Sequence, residues 1–155
     1  MSDIVVVTNG GYPLDQNIYQ TVKGMTAAEA TCRPGGVIIM CSACSDGHGG
    51  QNFYDIFANE KSEAVIMKQI LETDRDATVP DQWEAQILCR ILMNYHVIMV
   101  TQASREMTEA MHMTYAADFE EALFLADAYL GKKDAGITVI PDGVSVIVRP
   151  AFPVH

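Results

Sequence analysis

Between Gly10 and Gly24 the chain gathers polar side chains at helical spacing. On a helix opened by Pro13 and Asp15, Gln16, Gln20 and Lys23 share one face, and Tyr19 lies beside them, four residues before Lys23. An ammonium at Lys23 suits a carboxylate, while Gln20 and Tyr19 suit the orientation of a hydroxyl. On the opposite side Leu14, Ile18, Val22 and Met25 form an apolar stripe. The same pattern also describes a solvated helix face that carries a surface lysine.

Two further segments hold reactive residue types. Ser45-Asp46-Gly47-His48-Gly49-Gly50 is a Gly-rich loop whose backbone N–H groups could approach an anion, with Asp46 and His48 as candidate polar groups. It matches neither GxGxxG nor GxxxxGK[ST], and a tight turn with an exposed histidine fits it as well. Cys41-Ser42-Ala43-Cys44, with His48 four residues on, could be a thiol pair or part of a zinc site. Cys32 and Cys89 add no second CxxC, so small core thiols are the competing reading. Trp83, the single tryptophan, is either a core anchor or a wall beside a ligand. Met107, Met111 and Met113 read as core filling or as a plastic surface. No Ser-His-Asp order, paired acid/base carboxylates or HExxH is present.

The elements that must position these residues alternate. Ile4–Thr8, Val37–Cys41 and Val97–Val100 are short apolar, β-rich runs, the pattern of buried parallel strands. Gly24 reads as the end of the first helix, and Thr26-Ala27-Ala28-Glu29 as a capping box that opens a second. Helical patterns follow over 52–60, 63–72, the Trp83–Leu92 segment and Phe119–Leu130, the last closed by Gly131. Residues 104–117 are mixed, and Asp74–Pro80 reads as a loop. Ile137–Ile140 and Val144–Val148 flank Pro141-Asp142-Gly143, which suggests a closing β-hairpin. The expected fold is an α/β layered sandwich with a mostly parallel central sheet and helices on both faces, in one domain over 4–150. Loops after the carboxyl ends of the strands, 9–17, 42–52 and 101–106, are where such folds carry sites.

Composition narrows the partners. The 155 residues are 49% hydrophobic and 19% charged, which supports one folded domain. A net charge of −10 disfavours nucleic acid and anionic membrane surfaces, so an anionic ligand needs a local positive group. No apolar run is long enough to span a bilayer, and the first residues lack a secretory pattern. With four scattered cysteines this reads as a cytoplasmic protein with reduced thiols.

The run Thr8-Asn9-Gly10-Gly11-Tyr12-Pro13-Leu14-Asp15-Gln16-Asn17-Ile18-Tyr19-Gln20-Thr21-Val22-Lys23-Gly24 is distinctive. Together with Cys44-Ser45-Asp46-Gly47-His48-Gly49, Trp83 and Ile140-Pro141-Asp142-Gly143, it resembles the C-terminal domain of the nickel-dependent lactate racemase family. The resemblance covers nearly the whole chain. It implies a two-domain α/β enzyme with a nickel-pincer nucleotide, acting on lactate or another 2-hydroxy acid by hydride transfer. In that family the N-terminal domain carries the lysine that tethers the cofactor, a histidine nickel ligand and two catalytic histidines. The resemblance makes Tyr19, Gln20, Lys23 and Trp83 substrate- or cofactor-contacting residues.

The resemblance also marks what this chain lacks. Its histidines stand only at 48, 96, 112 and 155, none in a segment like the N-terminal motifs, and no cofactor-linking lysine motif is present. Cys41 departs from the family pattern before the loop. The expectation is therefore a C-terminal domain with no catalytic residue and no metal ligand of its own. It would work with an N-terminal catalytic domain in cis or in trans, with no bound cofactor when alone, and a homodimer is compatible with it. A stand-alone carboxylate-binding module and a Cys-based zinc or redox site are the alternatives.

Overall fold

The computed structural model describes residues 1–149. Five strands, β1 (Ser2–Thr8), β2 (Cys32–Cys41), β3 (His96–Val100), β4 (Thr114–Ala116) and β5 (Ile137–Ile140), form one sheet in the order β4-β3-β2-β1-β5, and every pairing is parallel. Six helices connect them: α1 (Ile18–Glu29), α2 (Gln51–Ala58), α3 (Glu63–Glu72), α4 (Gln82–Asn94), α5 (Arg105–Ala110) and α6 (Phe119–Leu130). A single 3₁₀ turn, Arg75–Ala77, precedes α4.

Strand alternation divides the core. Val5, Val7, Ile38, Met40, Val97 and Met99 point to one face, where Ile18, Val22 and Met25 of α1, Phe53 and Phe57 of α2, Ile66 of α3 and Leu88 and Ile91 of α4 cover them. Ile4, Val6, Val37, Ile39 and Ile98 point to the other face, against Ala122 and Ala126 of α6. The layering follows from chain direction. The connections from β1 to β2 and from β2 to β3 step one way across the sheet, and the β4-to-β5 connection returns the other way. Right-handed crossovers therefore place α6 opposite α1–α4. At the strand amino ends Asp3 of β1 bonds Arg33 of β2 at 2.5 Å and Lys132, ahead of β5, at 2.8 Å.

Four local expectations are corrected. Pro13 and Asp15 do not open the first helix: residues 13–16 are turns and bends, Leu14 is partly exposed, and Asn17 is the N-cap, its side chain accepting from the Gln20 amide. Gln16 consequently lies outside the helix face that bears Gln20 and Lys23. Gly24 does not end α1, which runs unbroken through Thr26-Ala27-Ala28-Glu29. A Cβ at Gly24 would stand 2.1 Å from the Asn9 Oδ1 atom, so the glycine there admits a neighbour rather than stopping a helix.

No closing hairpin forms, because residues 144–148 are not a strand. The Gly143 amide donates to the Thr8 carbonyl, and Asp142 accepts from the Val144 and Ser145 amides, so the Pro141-Asp142-Gly143 turn folds back onto the end of β1. Finally, the mixed segment 104–117 contains a strand, β4, only three residues long and paired solely with β3.

Gly24→Ala tests the close approach. In an open helix this change stabilises by about 1 kcal/mol. Here urea unfolding should show a loss of about 1–3 kcal/mol, the cost of overpacking a buried contact.

Candidate functional site

The carboxyl end of β1 runs into Asn9, which is fully buried. Its Nδ2 donates to the Leu14 and Gln20 carbonyls, both at 2.7 Å, and so holds the 10–17 turn and the first turn of α1 in one register. The Gly-rich loop after β2 then zips along the same segment. The Cys44 and Asp46 amides donate to the Asp15 and Gln16 carbonyls, and the Ile18 and Tyr19 amides donate to the Gly47 and His48 carbonyls. A Cβ at Gly49 would lie 2.5 Å from the Asn17 side chain, so this close seating requires glycine.

This arrangement commits part of the Gly-rich loop to the fold. The Asp46, Gly47 and Gly50 amides are spent within the fold, on the Gln16 carbonyl, the Cys44 carbonyl and the His48 Nδ1 atom. The His48 ring stacks on Tyr54 at 4.9 Å, and Asp46 is exposed. The loop caps and aims α1. The thiol reading fails on geometry: Cys41 packs toward the α6 face of the sheet, while Cys44 is buried on the α1–α4 face, where its thiol lies 3.4 Å from the Ser42 hydroxyl. Among the described residues no three His, Cys, Asp or Glu side chains converge on one point. Met111 and Met113 are core residues.

The remaining candidates come together. Tyr19 meets Trp83 edge-on at 6.0 Å and Phe53 at 5.4 Å, so it stands between the core and the surface. Trp83 is 55% exposed, which makes it a wall over open surface rather than a core anchor. One turn along α1, the Lys23 Nζ donates to the Gln20 Oε1 at 2.6 Å. Lys23 is exposed and forms no ion pair among the described residues, so its charge faces outward.

Two acidic residues of this cluster escaped the sequence reading. Asp81 caps α4 with left-handed backbone (φ 66°), and its carboxylate lies over Gly50. Glu84, in the first turn of α4, is 1% exposed, and neither of its carboxyl oxygens has a hydrogen-bond partner among the described residues. Burial pushes the Glu84 carboxyl up to about 7, against the pull of Lys23 and with the push of Asp81. Burial, with Glu84 and Asp81 nearby, also raises the Tyr19 phenol above its ordinary value. A lone Glu in a helix's first turn reads as an ordinary dipole-stabilising residue, and only the packing of α1 on α4 makes it unusual.

The described histidines are committed elsewhere. His96 stacks on Tyr129 at 4.2 Å and bonds Thr114, and His112 bridges Glu63 and the Phe57 carbonyl. His155 and the domain limit at residue 150 lie outside the described residues. No described helix is long and apolar enough to cross a membrane.

The structure thus defines a parallel α/β domain that offers a cation, an amide, a phenol and an indole on one open face. Comparison with known proteins specifies it further. A sequence model of the lactate racemase C-terminal domain matches residues 1–148. The chain is 58% identical to the lactate racemase of Thermoanaerobacterium thermosaccharolyticum over 149 residues, which is 96% of this chain and 35% of that protein. It is 51% identical to the lactate racemase of Lactiplantibacillus plantarum over 148 residues, 95% of this chain and again 35% of the relative. The solved structure of the lactate racemase apoprotein from T. thermosaccharolyticum superposes with a TM-score of 0.93 at 57% identity, covering 96% of this chain and 36% of that one. The chain belongs to the lactate racemase C-terminal domain family and spans about a third of the length of these relatives.

The Glu84 carboxyl sets a pH signature. Its ordinary value of 4.5 rises to about 7 in the fold, so between these limits the native state holds a proton that the unfolded chain has lost. The contribution of Glu84 to stability is therefore most favourable below pH 4.5, falls as pH climbs toward 7 and stays reduced above it, by about 3 kcal/mol in all for a shift of this size. In urea titrations at about pH 5 and about pH 8, Glu84→Gln should remove most of this difference and be the more stable protein at the higher pH.

Proposed function

We propose that this chain is the substrate-closing domain of a nickel-pincer lactate racemase, an isomerase whose catalytic groups lie in an N-terminal domain. In this reading 4–150 form one domain, and its partner is joined in cis or supplied in trans. What carries the reading is the outward Lys23 ammonium, oriented by Gln20 at 2.6 Å beside the Tyr19–Trp83 wall.

Each residue has a derivable task. Lys23 neutralises the carboxylate of a 2-hydroxy acid, a charge-assisted contact that the chain's net charge of −10 would otherwise oppose. Gln20 holds the ammonium through its Oε1, which leaves its amide N–H₂ group to donate to a substrate oxygen. Tyr19 offers a hydroxyl that burial and two carboxylates keep protonated at neutral pH, hence a donor rather than a base. Trp83 covers the site and excludes water when the two domains close.

The exposed indole and the outward ammonium also fit the aromatic and phosphate parts of a nucleotide. When bound, the nickel-pincer group supplies the hydride acceptor. Its metal ligands and covalent tether belong to the N-terminal domain in this reading.

In the complete enzyme, Lys23→Ala should lower kcat/KM for lactate racemisation by roughly 10–200-fold, matching about 1.5–3 kcal/mol for a hydrogen bond to a charged group. An enantioselective assay checks this. Unchanged kcat/KM would remove Lys23 from the site. The isolated chain should neither racemise lactate nor retain nickel in elemental analysis.

A further inference from the structure

A buried carboxyl group with neither oxygen hydrogen-bonded costs stability, and a fold retains one more readily where its proton is used. Glu84 meets that description among the described residues, in the first turn of α4, which packs on α1. From α1, Lys23 and the Tyr19 hydroxyl act on it or feel its charge, and from the start of α4, Asp81 does so. The other elements packed against α4, namely α2, α3 and β2, contribute no further charged group acting on it among the described residues.

We propose that Glu84 is a positioning residue that takes up one proton when a carboxylate binds at Lys23. The argument is electrostatic and rests on the reading of Lys23 as the anion-binding group. With no anion present, Lys23 is the one cation among the described residues that favours an ionised Glu84, while burial and Asp81 oppose it. A substrate carboxylate at Lys23 offsets that cation and adds a second negative charge to those already acting on the buried Glu84 carboxyl. Two anions sharing one lysine raise the cost of ionisation, and the carboxylate takes a proton from solvent. No bond other than this O–H forms or breaks.

The neutral carboxylic acid leaves the whole Lys23 charge to the ligand. By linkage, protonating Glu84 tightens anion binding, and binding the anion favours the proton by the same factor. The domain would therefore bind 2-hydroxy-acid anions with proton uptake, more tightly on the acid side of neutrality.

Carbon-13 NMR of the Glu84 carboxyl in this chain tests the idea, with the signal identified by its loss in Glu84→Gln or by sequential assignment if that variant does not fold. The midpoint should lie near 7 without ligand and rise by about one pH unit with sodium lactate, relative to sodium chloride of equal ionic strength. That shift corresponds to roughly tenfold weaker lactate binding well above the midpoint than well below it. In Lys23→Ala, whose exposed site spares the core, lactate should leave the midpoint in place. If lactate perturbs the Lys23 and Gln20 signals and the Glu84 midpoint does not move, the proton linkage is wrong while the anion site stands. If lactate perturbs none of them, the Lys23 reading falls and the linkage falls with it. A midpoint in the ordinary carboxylate range overturns the proposal outright.

Discussion

The buried Asn9 side chain is the contact on which the rest of this domain turns. It leaves the end of β1 and donates two hydrogen bonds, to Leu14 and Gln20, while its Oδ1 lies against the bare Cα of Gly24. One amide therefore fixes where the turn after β1 goes, where α1 begins and how closely α1 sits on the sheet. Everything placed outward on α1 inherits that position, including Tyr19, Gln20 and Lys23. The glycine at 24 is the steric counterpart of the asparagine at 9. Gly143 completes the arrangement, since a Cβ there would lie 2.8 Å from the Gly24 Cα.

Around this contact the loops that follow β1 and β5 close on each other. The crevice between β1 and β5 is filled by the Pro141-Asp142-Gly143 turn through the Gly143–Thr8 bond and the Asn9–Asp142 bridge. The amides that start α1 are taken by the Gly47 and His48 carbonyls. In the proposed function recognition therefore falls to side chains rather than to the backbone. There a lysine supplies the charge that a helix N-terminus supplies elsewhere, and it can be tuned by a neighbour in a way that fixed amides cannot.

In the proposed function the open face is half a site. It carries an exposed lysine bonded to Gln20 and an aromatic wall more than half exposed, while Asp81 and Glu84 stand at the start of α4. A second body that closes over Trp83 would lower the local dielectric, strengthen the Lys23–carboxylate contact and raise the cost of an ionised Glu84 at the same time. Closure, anion binding and proton uptake would then be coupled through one small cluster.

The sequence by itself determined the alternating strands and helices, since the short runs at Ile4–Thr8, Val37–Cys41 and Val97–Val100 are rich in Val and Ile and have the pattern of buried parallel strands. It also determined that Tyr19, Gln20 and Lys23 follow one another around one helix, because helical spacing is a local property. The tertiary structure alone decided four things. Gly24 continues its helix, since the reason for the glycine is Asn9, fifteen residues away. Residues 114–116 form a strand, since so short a segment takes its conformation from β3. The Asp142 turn docks instead of reversing the chain, since its partner is the Thr8 carbonyl at the far end of the sequence. Glu84 is a buried, unpartnered carboxyl, since nothing in a helix's first turn announces that another helix will cover it. Local periodicity records which way a side chain points, while only the meeting of distant segments decides what it points at.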